Sequence, residues 1–304
     1  MSPDAPQSTP LSILYRGQLS SCNYDCHYCP FGKQRDSRET LARDEADLQR
    51  LVDWASRQQR PLQVMFTPWG EALIHPSYQR AIARLCAMPH LHKVVIQTNL
   101  SSPAHQLQAL AHPKLALWCS YHPHEVSLER FLQRCHSLLE AGIRFSVGSV
   151  GNPEDIAALE ALRLALPEHV YLWVNINRDE QHNLTTEDWQ RLRVIDPLVD
   201  HNSRIYPSQG RPCHTGDRVI SVDGDGTVNR CHFVKQSMGN LYDGSFQPSQ
   251  QPCPNQGCDC HIGYVHMPEL KLYEVFEGGV LERIPAGWPA RDDSDPTGPL
   301  MQQP

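Results

Sequence analysis

No stretch of this 304-residue chain is long and apolar. A membrane-spanning helix needs about 18 or more consecutive apolar residues, so an integral membrane helix is excluded. The first ten residues are polar and proline-rich and lack the apolar centre of a secretion signal. Basic residues are thinly spread: 27 Lys and Arg against 34 Asp and Glu give a net charge of -7. Without a dense basic block there is no electrostatic footprint for nucleic acid. An even complement of cysteines is missing as well. Eleven thiols in a chain without a secretion signal argue against a disulfide framework. The setting expected is a reducing cytoplasm, with neither nucleic acid nor membrane as partner.

The chain has room for one large domain and a smaller one. From Leu11 to about Asn177, short apolar runs alternate with longer amphipathic ones, the pattern of parallel strands joined by helices. Strands are expected at Leu11–Tyr15, Leu62–Phe66, Lys93–Gln97, Leu115–Ser120, Arg144–Val150 and Val170–Asn175. Helices are expected at Thr40–Arg57, Ser77–Met88, Pro103–Ala111, Ser127–Ala141, Asp155–Leu166 and Thr186–Ile195. In the fourth helix Leu128, Phe131, Leu132, Cys135 and Leu138 form one apolar stripe, and Ala141-Gly142 supplies a stop. A closed eightfold barrel takes about 250 residues. Only six strand–helix units fit before the composition changes near Asp200, so an α/β fold with an open, partial barrel of six strands is expected.

The chemistry is signalled by Cys22, Cys26 and Cys29, spaced C-x3-C-x2-C in one short loop. Three thiolates so close can hold a zinc ion or three corners of a four-iron cube, which normally takes four cysteines. With three, one iron keeps an open position, as catalytic zinc sites do and structural ones do not. A structural zinc knuckle would want a fourth Cys or His at short spacing, and His27 between two cysteines would crowd the loop. The motif, with Tyr28 just before its third cysteine, resembles that of the radical S-adenosylmethionine (radical SAM) superfamily. That resemblance implies a 4Fe-4S cluster whose open iron binds S-adenosylmethionine. One electron then cleaves the cofactor to a 5'-deoxyadenosyl radical that abstracts hydrogen from substrate. It also implies the curvature and side opening of a partial (β/α)6 TIM-like barrel.

Strand-end segments extend the resemblance. Trp69-Gly70-Glu71-Ala72 is similar to the family's Gly-Gly-Glu-Pro segment, which holds the amino group of S-adenosylmethionine, although Trp69 and Ala72 replace its first glycine and its proline. Thr98-Asn99-Leu100 is similar to Thr-Asn-Gly, with Leu100 in the glycine's place. Active sites of such barrels form at the carboxyl ends of the strands. The cofactor-binding residues expected there are Tyr28, Gly70, Glu71, Asn99, Ser120, Ser149 and Asn175. His122 would face substrate or serve as a hydrogen-bonded structural residue. No protein side chain is assigned as catalytic.

Beyond Asp200 the chain is rich in Gly, Pro, Asn and Cys. Alternating apolar residues around Asp223-Gly224-Asp225-Gly226 predict a hairpin that brings Cys213 and Cys231 together. It is not a calcium loop, because Val228 and Val234 stand where Gly and Glu are required. The C-x12-G-x4-C spacing resembles the start of the auxiliary-cluster domain called SPASM, or its shortened twitch form. Five thiols, Cys213, Cys231, Cys253, Cys258 and Cys260, suffice for one further 4Fe-4S cluster with one to spare. A four-cysteine zinc site is the alternative; His214, His232, His261 and His266 are further ligand candidates, with a neutral structural role the expected one for each. Cys86, Cys119 and Cys135 lie in apolar patterns and read as buried thiols.

The expected organisation is a flexible start (1–10), a barrel (11–200), a small cysteine-rich domain with a hairpin and C-terminal helices at Leu270–Phe276 and Gly279–Ile284 (201–285), and a disordered tail (286–304) rich in Pro, Asp and Gln. Auxiliary-cluster members of the superfamily often modify peptides or proteins, so such a side chain is the leading substrate class and a small metabolite the second. An electron donor such as flavodoxin or ferredoxin is implied. A non-catalytic metal protein, an electron carrier or a zinc-stabilised module, is the reading from another class.

Overall fold

A computed structural model describes residues 9–31 and 34–288 of the chain. Alternation of short strands and amphipathic helices runs as expected: β1 (Leu11–Arg16), α1 (Arg38–Ser56), β2 (Leu62–Phe66), α2 (Pro76–Cys86), β3 (Leu91–Thr98), α3 (Ala104–Gln108), β4 (Leu115–Ser120), α4 (Leu128–Glu140), β5 (Arg144–Gly151), α5 (Ile156–Ala165), β6 (Leu172–Ile176) and α6 (Thr186–Ile195). Strands β1 to β6 lie side by side in sequence order and all pair in parallel. The architecture is α/β, a six-unit partial TIM-like barrel.

Parallel strands are buried on both faces, which is why their sequences read as near-continuous apolar runs. Their alternation still sorts side chains by face. Val94 and Ile96 join the layer under the helices, whereas Val95 joins Leu14, Met65, Ala116, Trp118 and Trp173 on the inner face. The α4 stripe behaves as its spacing requires, with Phe131, Cys135 and Leu138 buried and Leu128 and Leu132 packed at the margin. Gly142, at φ +66°, ends that helix.

The rest of the chain comprises α7 (Val199–Asn202), β7 (Tyr206–Pro207), β8 (Val219–Asp223), β9 (Thr227–Cys231), β10 (Val234–Asn240), β11 (Gly257–Cys258), α8 (His261–Tyr264) and α9 (Leu272–Phe276). The expected hairpin is β8–β9, closed at Gly226 (φ +89°), whose N–H donates to the Asp223 carbonyl at 2.9 Å. Strand β8 pairs in parallel with β1, so the hairpin and β10 continue the barrel's own sheet, in the order β10-β9-β8-β1-β2-β3-β4-β5-β6.

The barrel is filled from its open side. Ile262, Tyr264, Val265, Met267, Leu272, Phe276 and Leu281 pack on the inner face of the strands. Segment Leu270–Phe276 forms α9 as expected, but Gly279–Ile284 does not form a helix. Ile284 N–H donates to the Gly279 carbonyl at 3.0 Å, and Arg283 sits at φ +56°. This tight loop carries Glu282 and Arg283, 0% and 1% exposed, into the barrel. Glu282 pairs there with Lys93 and with Arg144. Ala286 to Trp288 are also held, contrary to their placement in the tail: the Trp288 indole N–H donates to the Glu168 carbonyl at 2.9 Å. The remainder of the expected tail, and residues 1–8 of the expected flexible start, lie outside the described residues. Among the described residues no helix is long and apolar enough to cross a membrane.

Candidate active site

The cysteine loop leaves the carboxyl end of β1 and is pinned before its first thiol. Asp36 accepts from the backbone N–H groups of Ser20 and Ser21, at 2.8 Å each, and from both their hydroxyls. Asp44 of α1 accepts from the Leu19 N–H at 3.1 Å. From the other side, Glu71 N–H donates to the Ser21 carbonyl at 3.1 Å. A Cβ on Gly70 would stand 1.8 Å from that same oxygen, so only glycine lets the β2 loop come this close.

These contacts open a cleft of about 220 Å³ at the carboxyl ends of the strands. Cys22, Cys26 and Cys29 line it together with Gly70, Glu71, Asn99, Ser120 and Asn175. Five of the seven residues expected to bind cofactor thus face one space with all three thiols. The Cys26 thiol is pushed up to about 12, first by burial and then by the acid Glu125 and the two neighbouring thiols. The thiolate is disfavoured there, and the positive charge of a bound metal would offset that cost. Among the described residues no three Cys, His, Asp or Glu side chains converge as ligands of one ion. Three thiols spread around one cleft suit a cube of irons.

Glu71 is fully buried. It accepts from the Leu73 N–H (3.0 Å), the Thr98 hydroxyl (2.8 Å) and the Asn99 N–H (2.5 Å), so its carboxylate ties the β2 and β3 ends together. Burial, opposed by these bonds, raises it to about 7. Asn99 reaches back to the cysteine loop, donating to the Asn23 side-chain carbonyl at 3.0 Å and approaching the Cys22 sulfur at 3.7 Å. Leu100 adopts φ +55°, the conformation natural to the glycine that the resemblance places there.

Two expectations need correction. Ser149 does not face the cleft; its hydroxyl donates to the Tyr121 carbonyl at 2.8 Å. Strand parity decides this: Gly148 has the inward position, and a Cβ there would stand 1.9 Å from the Trp173 ring. That glycine makes room for a tryptophan. Tyr28 is also absent from the cleft lining, because its hydroxyl turns to His122 Nδ1, 2.7 Å away. His122 is kept neutral, lowered to about 4 by burial.

Trp69, Trp118, Trp173 and Gln97 line the cleft although their sequence context marked them only as core or loop. Period-two counting back from Ser120 and Asn175 would have found Trp118 and Trp173. Trp69, in the place of a glycine, stacks under the Arg16 guanidinium at 3.9 Å and against Phe31 at 4.3 Å.

A second pocket holds the later thiols. Cys213, Cys231, Cys253 and Cys258 line it, with Gly257 and Gly263. Cys260 does not; it caps α8, with Arg16 and Arg283 among the charges that act on it. None of the four candidate histidines lines this pocket. His232 bonds the Thr67 and Ser221 hydroxyls, and His266 the Tyr273 hydroxyl. The rings of His214 and His261 lie against Tyr273 and Trp118. Cys86, Cys119 and Cys135 are buried as expected.

The family model of the radical SAM superfamily matches residues 19–117, from the start of the cysteine loop into β4. Residues 19–117 thus carry a radical SAM domain, and that family takes a 4Fe-4S cluster and S-adenosylmethionine. No curated protein sequence matches the chain. Solved structures share its fold. The enzyme anSMEcpe with bound AdoMet and Cp18Cys peptide is 15% identical, with 78% of each chain covered and a TM-score of 0.50. Streptococcus suis SuiB bound to precursor peptide SuiA is 13% identical, with 78% of this chain and 64% of that one covered and a TM-score of 0.52.

Proposed function

We propose that this enzyme uses Cys22, Cys26 and Cys29 to hold a site-differentiated cluster, binds S-adenosylmethionine at the open iron, and modifies a side chain of a peptide or protein. The carrying observation is that the three thiols share one cleft with the polar ends of β3, β4 and β6 and the glycine-tight β2 loop. When bound, the cluster and its cofactor supply a carbon radical that takes hydrogen from an unactivated substrate position. The protein's part is placement. Gly70 lets the β2 loop lie against the cysteine loop, Glu71 fixes Asn99, and Asn99 braces Asn23 beside Cys22. Ser120 and Asn175 offer hydrogen bonds at the rim, and Trp118 and Trp173 form an apolar floor that keeps water from the reacting carbon.

A peptide substrate is favoured by the likeness of fold to anSMEcpe and SuiB, both solved with peptides bound. The four thiols of the second pocket support one auxiliary 4Fe-4S cluster held by Cys213, Cys231, Cys253 and Cys258, with Cys260 the spare. A flavodoxin or ferredoxin in the cytoplasm would deliver the electron.

The test is anaerobic reconstitution, reduction and addition of S-adenosylmethionine. Formation of 5'-deoxyadenosine, lost in Cys26→Ala, is expected. Its absence with an intact cluster overturns the reading. Deuterium transfer into that product from deuterated peptide, and not from deuterated small metabolites, tests the substrate class.

A further inference from the structure

We propose that His122 and Tyr28 form a hydrogen-bond relay onto Cys26 that raises the reduction potential of the cluster held by the cysteine loop. The inference rests on the radical SAM reading and concerns a property that reading leaves open, the ease with which the cluster takes its electron.

The three thiols are not served alike. Cys22 faces the Tyr24 backbone N–H at 3.4 Å and the Asn99 amide at 3.7 Å; Cys29 faces the Phe31 N–H at 3.4 Å. Cys26 is the thiol approached by a group from β4's end. His122 Nδ1 lies 3.4 Å from its sulfur and 2.7 Å from the Tyr28 oxygen, so imidazole and phenol both stand beside that sulfur. The two rings are nearly parallel, at 19°, with centroids 6.0 Å apart, and Tyr24 stands edge-on to His122 at 5.8 Å.

Proton counting decides how this triangle is wired. An iron-bound thiolate has no proton to give and only accepts. Tyr28 has one proton: given to His122, it is not available to Cys26. If Nδ1 carries the imidazole proton, His122 donates to the Tyr28 oxygen and Tyr28 donates to Cys26. The bound thiolate selects that tautomer, since the partner of a ring nitrogen sets its protonation. Bonds in series polarise one another, so the histidine strengthens the donation the sulfur receives. Hydrogen bonds to cluster sulfurs stabilise the more negative, reduced state. Reduction then adds one electron from the external donor, while both protons stay on Tyr28 and His122.

The experiment is a dye-mediated potential titration of the iron-loaded protein without S-adenosylmethionine, followed by electron paramagnetic resonance. Tyr28→Phe and His122→Ala should each disfavour reduction about tenfold, about 59 mV for one electron. The double variant should fall no further than Tyr28→Phe alone, and His122→Asn, which keeps an N–H donor, should recover most of the loss. An unchanged midpoint in Tyr28→Phe at full iron content overturns the relay, as do two effects that add in full. Should His122→Ala fail to load iron, Tyr28→Phe, which removes a single oxygen, decides alone. A wild-type loop that assembles no cluster overturns the radical SAM reading instead, and is seen in the iron content before any titration.

Discussion

Gly70 and Ser21 meet backbone to backbone: the Ser21 carbonyl oxygen lies 1.8 Å from where a Cβ on Gly70 would stand. The loop carrying the thiols is thereby keyed to the loop after β2.

Gly70→Ala should therefore push the cysteine loop out of place without unfolding the barrel. Expected is a native-like circular dichroism spectrum together with at least a hundredfold loss of 5'-deoxyadenosine formation. The scale follows from the cost of misplacing reacting groups by about 1 Å. Activity within a fewfold of wild type would show that the loops can slide.

Glu71 is raised to about 7 in the fold, above the unfolded value of 4.5. Between those values the folded state binds more protons than the unfolded one, so this group makes stability fall as pH rises from about 4.5 to 7. The loss amounts to about 3 kcal/mol when complete. Glu71→Gln should remove that slope, seen as the difference between the two proteins' urea midpoints across the pH range. It should also be less stable at low pH, because its amide faces the Asn99 N–H with a donor. Parallel pH profiles would contradict the assignment.

Leu100 combines a strained backbone, φ +55°, with a side chain of zero exposure. Leu100→Gly relieves about 1–2 kcal/mol of left-handed strain but forfeits about 2–5 kcal/mol of buried side chain. Burial wins, and a net loss of roughly 1–3 kcal/mol is expected in thermal or chemical unfolding. A more stable glycine variant would mean that the pocket around Leu100 closes without cost.

Single serine substitutions at Cys213, Cys231, Cys253 and Cys258 should each lower iron by about four atoms per chain after reconstitution. Cys260→Ser should leave it unchanged. Zinc in place of iron in the second pocket, or iron loss in Cys260→Ser, would redraw the ligand set.

Arg283 donates to the side-chain carbonyls of Asn175 (2.9 Å) and Asn202 (2.6 Å) and lies over Trp173, its carbon 4.5 Å from the ring centroid. Arg283→Leu should cost roughly 2–4 kcal/mol through two lost charged hydrogen bonds. It should also raise the KM for substrate, since Asn175 and Trp173 both line the cleft. A change in stability alone would confine Arg283 to the core.

Much of this was legible in the amino-acid order. The cysteine spacing, the six strand–helix units, the α4 stripe and the hairpin at Gly226 are local patterns, fixed by interactions within a few residues. Period and turn chemistry suffice for them, and five of the seven expected cofactor residues face the cleft because strand ends in such barrels share one rim. Only the tertiary structure decided the rest. It set the bond of Ser149 to the Tyr121 carbonyl and the seat of Trp173 against Gly148, the tie of Tyr28 to His122 94 residues on, and the separation of Cys260 from its four neighbours. It also made a buried loop of Glu282 and Arg283 where a helix was expected. Each of these depends on partners distant in sequence, whose packing no local periodicity encodes.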